Sequence, residues 1–287
     1  LSKILSTRRQ FLLLASAGAA AIAADAILLE PNRPLVVRRN LFLARWPERL
    51  NGFKIALLSD FHYDPRFSVH PIHSSVGFVN GLTPDLIALT GDFVSIPFSQ
   101  SHNRIAARSA EPCAQILKGM KAPFGRWAVT GNHDHFTNSQ IVTAALEEQA
   151  IGVLGNRSIP IERDGARFWL AGVNDVLGGT ADPGKALTPV PADEAVVLLA
   201  HEPDFADYVA PQFPVDLQLS GHSHGGQVRF PFAGPMFLPD LGRKYVRGQY
   251  EIGRTTLYVN VGLGTVGLPV RWNCPPEITL LTLFRRA

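Results

Sequence analysis

From residue 53 onward the chain alternates short apolar runs with polar or glycine-rich clusters. Residues 54–59 stop at Asp60, 85–90 at Gly91-Asp92, and 126–130 at Gly131-Asn132-His133-Asp134. Residues 195–200 stop at His201, and 216–220 at Gly221-His222. Runs this short, bounded by turn residues, predict buried strands. Helical periodicity appears between the early runs, at 104–120 and at 138–149, with Asn138 as an N-cap. Strand alternating with helix predicts βαβ units. Farther along, 159–162 and 167–171 flank Asp164-Gly165, a hairpin signal, and 256–261 and 278–284 read as strands with no long helix between them. The pattern predicts two mixed sheets packed face to face with helices outside, in one domain over 31–287.

The first thirty residues follow another pattern. Lys3, Arg8 and Arg9 precede the uncharged run 11–24. That run is shorter than the roughly 20 residues a bilayer span needs, so 1–30 reads as an export signal or an N-terminal anchor. The order Thr7-Arg8-Arg9-Gln10-Phe11-Leu12 resembles a twin-arginine signal, whose export machinery carries folded proteins. The implied location is the periplasm or the outer face of the cytoplasmic membrane. Residues 31–51 form an arginine-rich connector with an edge strand at 35–44.

Composition narrows the class. The chain has 287 residues, 46% of them hydrophobic and 18% charged, which is globular. Its 27 basic and 24 acidic residues give +3, and without residues 1–26 the net charge is +1. No nucleic-acid partner is expected from so small an excess. Two cysteines, Cys113 and Cys274, exclude a disulfide framework; a single bridge between them stays open.

The chemistry lies where the strands end. Five of the nine histidines, together with Asp60, Asp92 and Asn132, sit just beyond apolar runs, where functional groups collect in open α/β sheets. Imidazole mixed with carboxylate suits Mn, Fe, Zn, Co or Ni. In Asp60-Phe61-His62 and His222-Ser223-His224, an extended backbone would turn both outer side chains the same way. A shared carboxylate could bridge two ions and clamp a phosphoryl group.

Asp60-Phe61-His62, Gly91-Asp92, Gly131-Asn132-His133-Asp134, His201 and Gly221-His222-Ser223-His224 occur in the order of the signature of the calcineurin-like metallophosphoesterases, which this chain resembles. The resemblance implies an α/β fold, a four-layer double β-sandwich flanked by helices, and a dinuclear-metal-dependent phosphoester hydrolase. It implies Asp60, His62 and His224 on one divalent ion, Asn132, His201 and His222 on the other, and Asp92 between them. His133 would assist the leaving group, with Asp134 orienting its ring, and a metal-bridging hydroxide would attack in line. No ligand position is lost, which disfavours a non-catalytic exported binding protein. The tyrosine of purple acid phosphatases is replaced by Ser95.

The longer stretch Ser220-Gly-His-Ser-His-Gly-Gly-Gln227, with Arg271 and Pro275-Pro276-Glu277, resembles a bacterial branch of membrane-associated phosphodiesterases and UDP-2,3-diacylglucosamine pyrophosphatase-like proteins. That branch implies phosphodiester or pyrophosphate substrates, including lipid-linked ones, and a membrane surface as partner; a phosphomonoesterase would share every motif. The loop after His224 carries Phe230, Phe232, Met236 and Phe237, which could meet an acyl chain, and Arg243, Lys244 and Arg247, which could meet phosphate.

Overall fold

The computed structural model describes residues 2–97 and 99–286, with backbone alone for 2–6, so the Lys3 side chain of the basic head lies outside the described residues. The strands are β1 (Leu35–Leu43), β2 (Phe53–Leu58), β3 (Leu86–Leu89), β4 (Arg126–Ala128), β5 (Gly152–Val153), β6 (Arg157–Arg163), β7 (Ala166–Gly172), β8 (Val196–Leu199), β9 (Leu217–Ser220), β10 (Arg229–Phe230), β11 (Gly234–Pro235), β12 (Gly248–Ile252), β13 (Thr255–Val259) and β14 (Glu277–Arg285). The α-helices are α1 (Ser2–Ala24), α2 (Val69–Leu82), α3 (Asn103–Ala107), α4 (Ala110–Leu117), α5 (Asn132–Glu148), α6 (Pro183–Leu187) and α7 (Ala206–Gln212). Two six-stranded sheets run β1-β14-β2-β3-β4-β5 and β12-β13-β9-β8-β7-β6, with β10-β11 a separate hairpin.

The two-residue period of the strands makes the layers. On β2, Phe53, Ile55 and Leu57 enter the core between the sheets, while Ala56 and Leu58 face the core under α2, α4 and α5. On β3, Leu86 and Ala88 point inward and Ile87 and Leu89 outward. On β8, Val197 and Leu199 fill the central core, and Val196 and Leu198 pack with Ala186 and Val209 of the helices beyond. A strand buried on both faces must be apolar throughout, which is why these runs are continuous and not alternating. Trp46, Phe53 and Phe168 close the central core, with Phe53 and Phe168 edge to face at 5.2 Å. The result is helices, sheet, sheet, helices.

The Asp164-Gly165 turn joins β6 to β7 with both residues at positive φ, +55° and +71°, as a tight twisted hairpin requires. The 35–44 stretch is the edge strand β1, parallel to β14. The expected helix 104–120 is split into α3 and α4. The helix expected from Asn138 starts earlier, at Asn132, and bends where Asn138 takes extended angles (φ −175°, ψ 94°). Asn138 Oδ1 accepts from Ile141 N at 3.0 Å, so it caps the second segment as its side-chain chemistry predicted. Sequence reasoning missed α2, whose Pro71, Gly77 and Gly81 mask the buried stripe Ile72, Val79 and Leu82.

The apolar helix α1 runs on through a π-helical stretch, Asp25–Leu29, into a 3₁₀ turn, Glu30–Asn32. Ala26 and Pro31 are buried against the domain, so the docked chain begins inside the 1–30 segment that the sequence set apart. Cys113 and Cys274 are both buried free thiols and form no disulfide.

Candidate metal centre

Strands β2, β3 and β4 are parallel in one sheet and β8 and β9 in the other, and all five end at one rim. The loops there are sewn together by backbone bonds: Asp60 N to Gly91 O at 3.0 Å, His62 N to Asp92 O at 2.9 Å and Gly221 N to His201 O at 3.0 Å. This rim gathers Asp60, His62, Asp92, Asn132, His133, His201, His222 and His224.

The backbone differs from the expected one. Asp60, His62, Asp92, His222 and His224 have φ of 52°, 41°, 56°, 68° and 51°, so neither Asp-x-His nor His-x-His is extended. An extended segment would carry the chain away from the rim, whereas left-handed residues turn it back after each strand. Such angles cost non-glycine residues energy and cluster at functional sites. The motif glycines leave room for this: a Cβ on Gly221 would overlap Ser59 Oγ and Asp60 Oδ2.

The side chains fall into two groups, Asp60 with His62 and His224, and Asp92 with His201 and His222, while His133 forms a third cluster with His62 and Asp92 between them. His62 Nε2 lies 3.0 Å from His224 Nε2, and His224 Nε2 lies 3.4 Å from Asp60 Oδ1. His222 Nδ1 lies 3.2 Å from His201 Nε2. Asp92 Oδ2 reaches both groups, 3.5 Å from His62 Nε2 and 3.3 Å from His201 Nε2. Asn132 Oδ1 is buried with no hydrogen-bond partner. Ring nitrogens facing one another and an orphaned buried carbonyl are a donor set without donors' hydrogens to satisfy it, which fits divalent cations.

Three of the four rings are held from behind, while His224 Nδ1 is buried without a hydrogen-bond partner. His201 Nδ1 donates to Thr90 O at 2.6 Å, and His222 Nε2 donates to Asp240 O at 2.8 Å. His62 Nδ1 lies 3.2 Å from Ser95 Oγ, so the serine at the tyrosine position contacts one of the clustered rings. Fixing one nitrogen leaves the other's lone pair aimed inward.

Charge follows burial. Burial, then the charges of neighbouring histidines, brings His62 and His222 down to about 3. Burial raises Asp60 to about 6. His201 is pushed above its ordinary value: burial opposes this, but the Asp92 and Asp60 carboxylates prevail.

His133 sits beside the cluster, its ring edge to face with His62 at 4.6 Å. Ile96 N–H donates to His133 Nδ1 at 2.9 Å. An amide can only donate, so the neutral ring carries its proton on Nε2. Asp134 does not orient this ring. Its carboxylate accepts from the amides of Asp92, Phe93, Val94 and Gly131, which ties the β3 loop to the start of α5. Burial and the Asp92 charge push Asp134 up to about 8.

Arg243 and Lys244 face other partners than expected: Arg243 pairs with Asp240 at 2.7 Å and Lys244 with Asp207 at 2.8 Å. Sequence reasoning also missed Arg271's task. Its fully buried guanidinium donates five hydrogen bonds to Val261, Gly262, Gly264 and Cys274 carbonyls. The loop it clamps lies behind Asp60 of the cluster, since Gly264 N donates to Asp60 O at 2.7 Å.

A pocket of about 490 Å³ opens onto the cluster. Asp92, Asn132, His133, His222 and His224 form its floor, and Val228, Met236, Phe237, Pro239, Val266, Leu268 and Val270 its walls.

The profile of the calcineurin-like phosphoesterases matches residues 53–226. The uncharacterized metallophosphoesterase YkuE of Bacillus subtilis is 33% identical, over 96% of this chain and 97% of that protein. Phosphodiesterase YaeI of Escherichia coli is 31% identical, over 84% of this chain and 86% of its own length. A transmembrane protein with metallophosphoesterase domain from Danio rerio is 32% identical, over 87% of this chain and 57% of that protein.

Proposed function

We propose, from the premise that this chain belongs to the calcineurin-like phosphoesterase family, that it is a two-metal phosphodiesterase acting on phosphodiester or pyrophosphate bonds of lipid-linked substrates. Asp60, His62 and His224 would hold one ion, Asn132, His201 and His222 the other, and Asp92 both. Bound there, two divalent cations supply positive charge to the phosphoryl oxygens and acidify water. The observation that carries the substrate class is the pocket, whose floor is the donor cluster and whose walls are apolar. A phosphate held at that floor would lay an attached hydrocarbon against Val228, Met236 and Leu268.

The chain's own groups supply the rest. His133 keeps a neutral ring, because burial lowers its pKa. Ile96 N–H fixes its tautomer, so Nε2–H donates to the oxygen that leaves. Asp92 holds its charge between the two groups while its Oδ1 accepts from His133 N at 2.9 Å, which keeps the carboxylate from rotating. The apolar walls exclude water from the ester and strengthen each polar contact. Residues 1–30 fit the same reading as a twin-arginine export signal or a retained anchor, with the domain outside the cytoplasm.

The test compares a mono-aryl phosphate, a bis-aryl phosphate and a lipid-linked pyrophosphate on protein of measured metal content. Turnover is expected on the latter two, well above the monoester. A faster monoester would establish a phosphomonoesterase, and metal-loaded protein inert to all three would establish a binding protein. The double variant Phe232→Ser/Phe237→Ser is expected to lose activity on the lipid-linked substrate and keep it on the bis-aryl ester. Equal loss on both would refute the lipid reading.

A further inference from the structure

The end of the N-terminal helix and the mouth of the metal pocket are fastened to one short segment, residues 271–274. On one side Arg271 N donates to Ala26 O at 2.9 Å, and the Glu30 carboxylate accepts from the Asn273 and Cys274 amides. On the other, Arg229 N donates to Trp272 O at 2.9 Å, and the Phe230 and Trp272 rings meet edge to face at 5.3 Å. The helix therefore leaves the domain at a fixed place beside the β10–β11 hairpin and the pocket wall that follows it. The helical stretch Thr7–Asn32 is 26 residues long and apolar enough to cross a membrane. Ahead of the docked residues, α1 (Ser2–Ala24) has 23 residues, and at about 1.5 Å per residue it matches the roughly 30 Å of hydrocarbon in a bilayer.

The hairpin carries aromatics that the fold does not use. Phe232, at its tip, is 110% exposed and sits at φ +68°. A bulky side chain in the left-handed region costs energy, and no packing contact rewards it here. Met236 and Phe237 follow at 72% and 71% exposed. Near the hairpin base are Arg229 and Arg247, neither ion-paired among the described residues. Arg229 Nη1 donates to Gly225 O at 2.6 Å and Ser223 Oγ donates to Val246 O at 2.6 Å, so both arginines adjoin the 223–225 turn. Exposed aromatics at an apolar edge, with cations behind them and an apolar helix alongside, are the chemistry of a membrane interface.

We infer that the 229–237 hairpin enters the bilayer that the N-terminal helix crosses, with Arg229 and Arg247 at anionic headgroups, so that the metal pocket opens at the lipid surface. The inference rests on the helix being a retained anchor. It is independent of which ester is cleaved, so failure of the phosphodiesterase reading leaves it standing.

The experiment places single cysteines in the full-length protein at positions 232, 13 and 148 (Phe232→Cys, Leu13→Cys, Glu148→Cys). Each is labelled with an environment-sensitive fluorophore after reconstitution into phosphatidylcholine vesicles containing phosphatidylglycerol. The native thiols are buried, so labelling is selective. Glu148 ends α5, remote from the metal centre where that helix begins. Labels at 232 and 13 are expected to shift to the blue and be quenched by spin-labelled lipid, with 148 unchanged. A quenched label at 13 with a water-like label at 232 overturns the hairpin inference and leaves the anchor. A water-like label at 13 overturns both. Self-quenching between labels at 232, without lipid quenching, makes a second copy the occupant and overturns the inference.

Discussion

Replacing Arg271 by lysine keeps a cation in the core but cannot keep its hydrogen bonds. The guanidinium makes five, at 2.6 to 3.2 Å, to four carbonyls of the 261–264 loop and Cys274. An ammonium has three donors, so at least two bonds are lost. At about 1.5–3 kcal/mol for each charge-assisted bond, the loss is about 3–6 kcal/mol. That is a large share of a total stability of roughly 5–15 kcal/mol. For a domain of this size each kcal/mol lowers Tm by about 2–4 °C, so Arg271→Lys is expected to melt on the order of 10 °C lower. Arg271→Ala would strand the Val261, Gly264 and Cys274 carbonyls, Gly262 O keeping the Glu277 amide, and is expected not to fold. The assay is thermal unfolding of chelated protein, since bound metal adds its own stabilisation. Arg243→Lys serves as control, because its pair with Asp240 is exposed and worth about 0–1 kcal/mol. Because the clamped loop backs Asp60, metal affinity is expected to fall as well. An Arg271→Lys melt that matches the Arg243→Lys control would refute the reasoning.

Asp92→Asn is expected to cut turnover by at least about 10³, or about 4 kcal/mol of barrier, with an unchanged circular dichroism spectrum; near-normal rates would exclude the shared carboxylate. His133→Ala is expected to slow turnover by about 10²–10⁴ while metal content stays at the wild-type level, and loss of metal would make it a ligand and refute its role at the leaving group. In metal-free protein at pH 7 His201 carries a proton, because its pKa is raised, and that proton must leave for Nε2 to bind a cation. Metal binding should therefore release protons, seen by calorimetry as a heat that depends on the buffer's ionisation enthalpy. Below about 6 Asp60 is also protonated, so affinity should fall as pH drops through that value; a buffer-independent heat and a pH-independent affinity would refute this.

The donors were legible because side-chain identity carries their chemistry and because they follow apolar runs, which marks strand ends. Their geometry was not. Asp60 and His62 read as an extended pair, yet both are left-handed, and nothing in Asp-Phe-His announces a positive φ. The groups that aim the rings are the Thr90 and Asp240 carbonyls and the Ile96 amide, and backbone groups leave no mark in a sequence. Asp134 shows the converse. Its place next to His133 suggested a ring partner, but the start of α5 turns its carboxylate toward four amides of the neighbouring loops.

Sequence alone determined what is set by residue type and short-range pattern: buried strands as short continuous apolar runs, the Asp164-Gly165 hairpin, the Asn138 cap, the donor residues and the apolar N-terminal stretch. Tertiary structure decided what depends on residues far apart in the chain. It brought two sheets to a common rim so that Asp92 lies between His62 and His201. It buried Arg271 as the clamp behind Asp60, and it joined Ala26 and Glu30 to the segment beside the pocket. These are long-range contacts, and pairing over such separations is settled by packing the whole core, which no local pattern records.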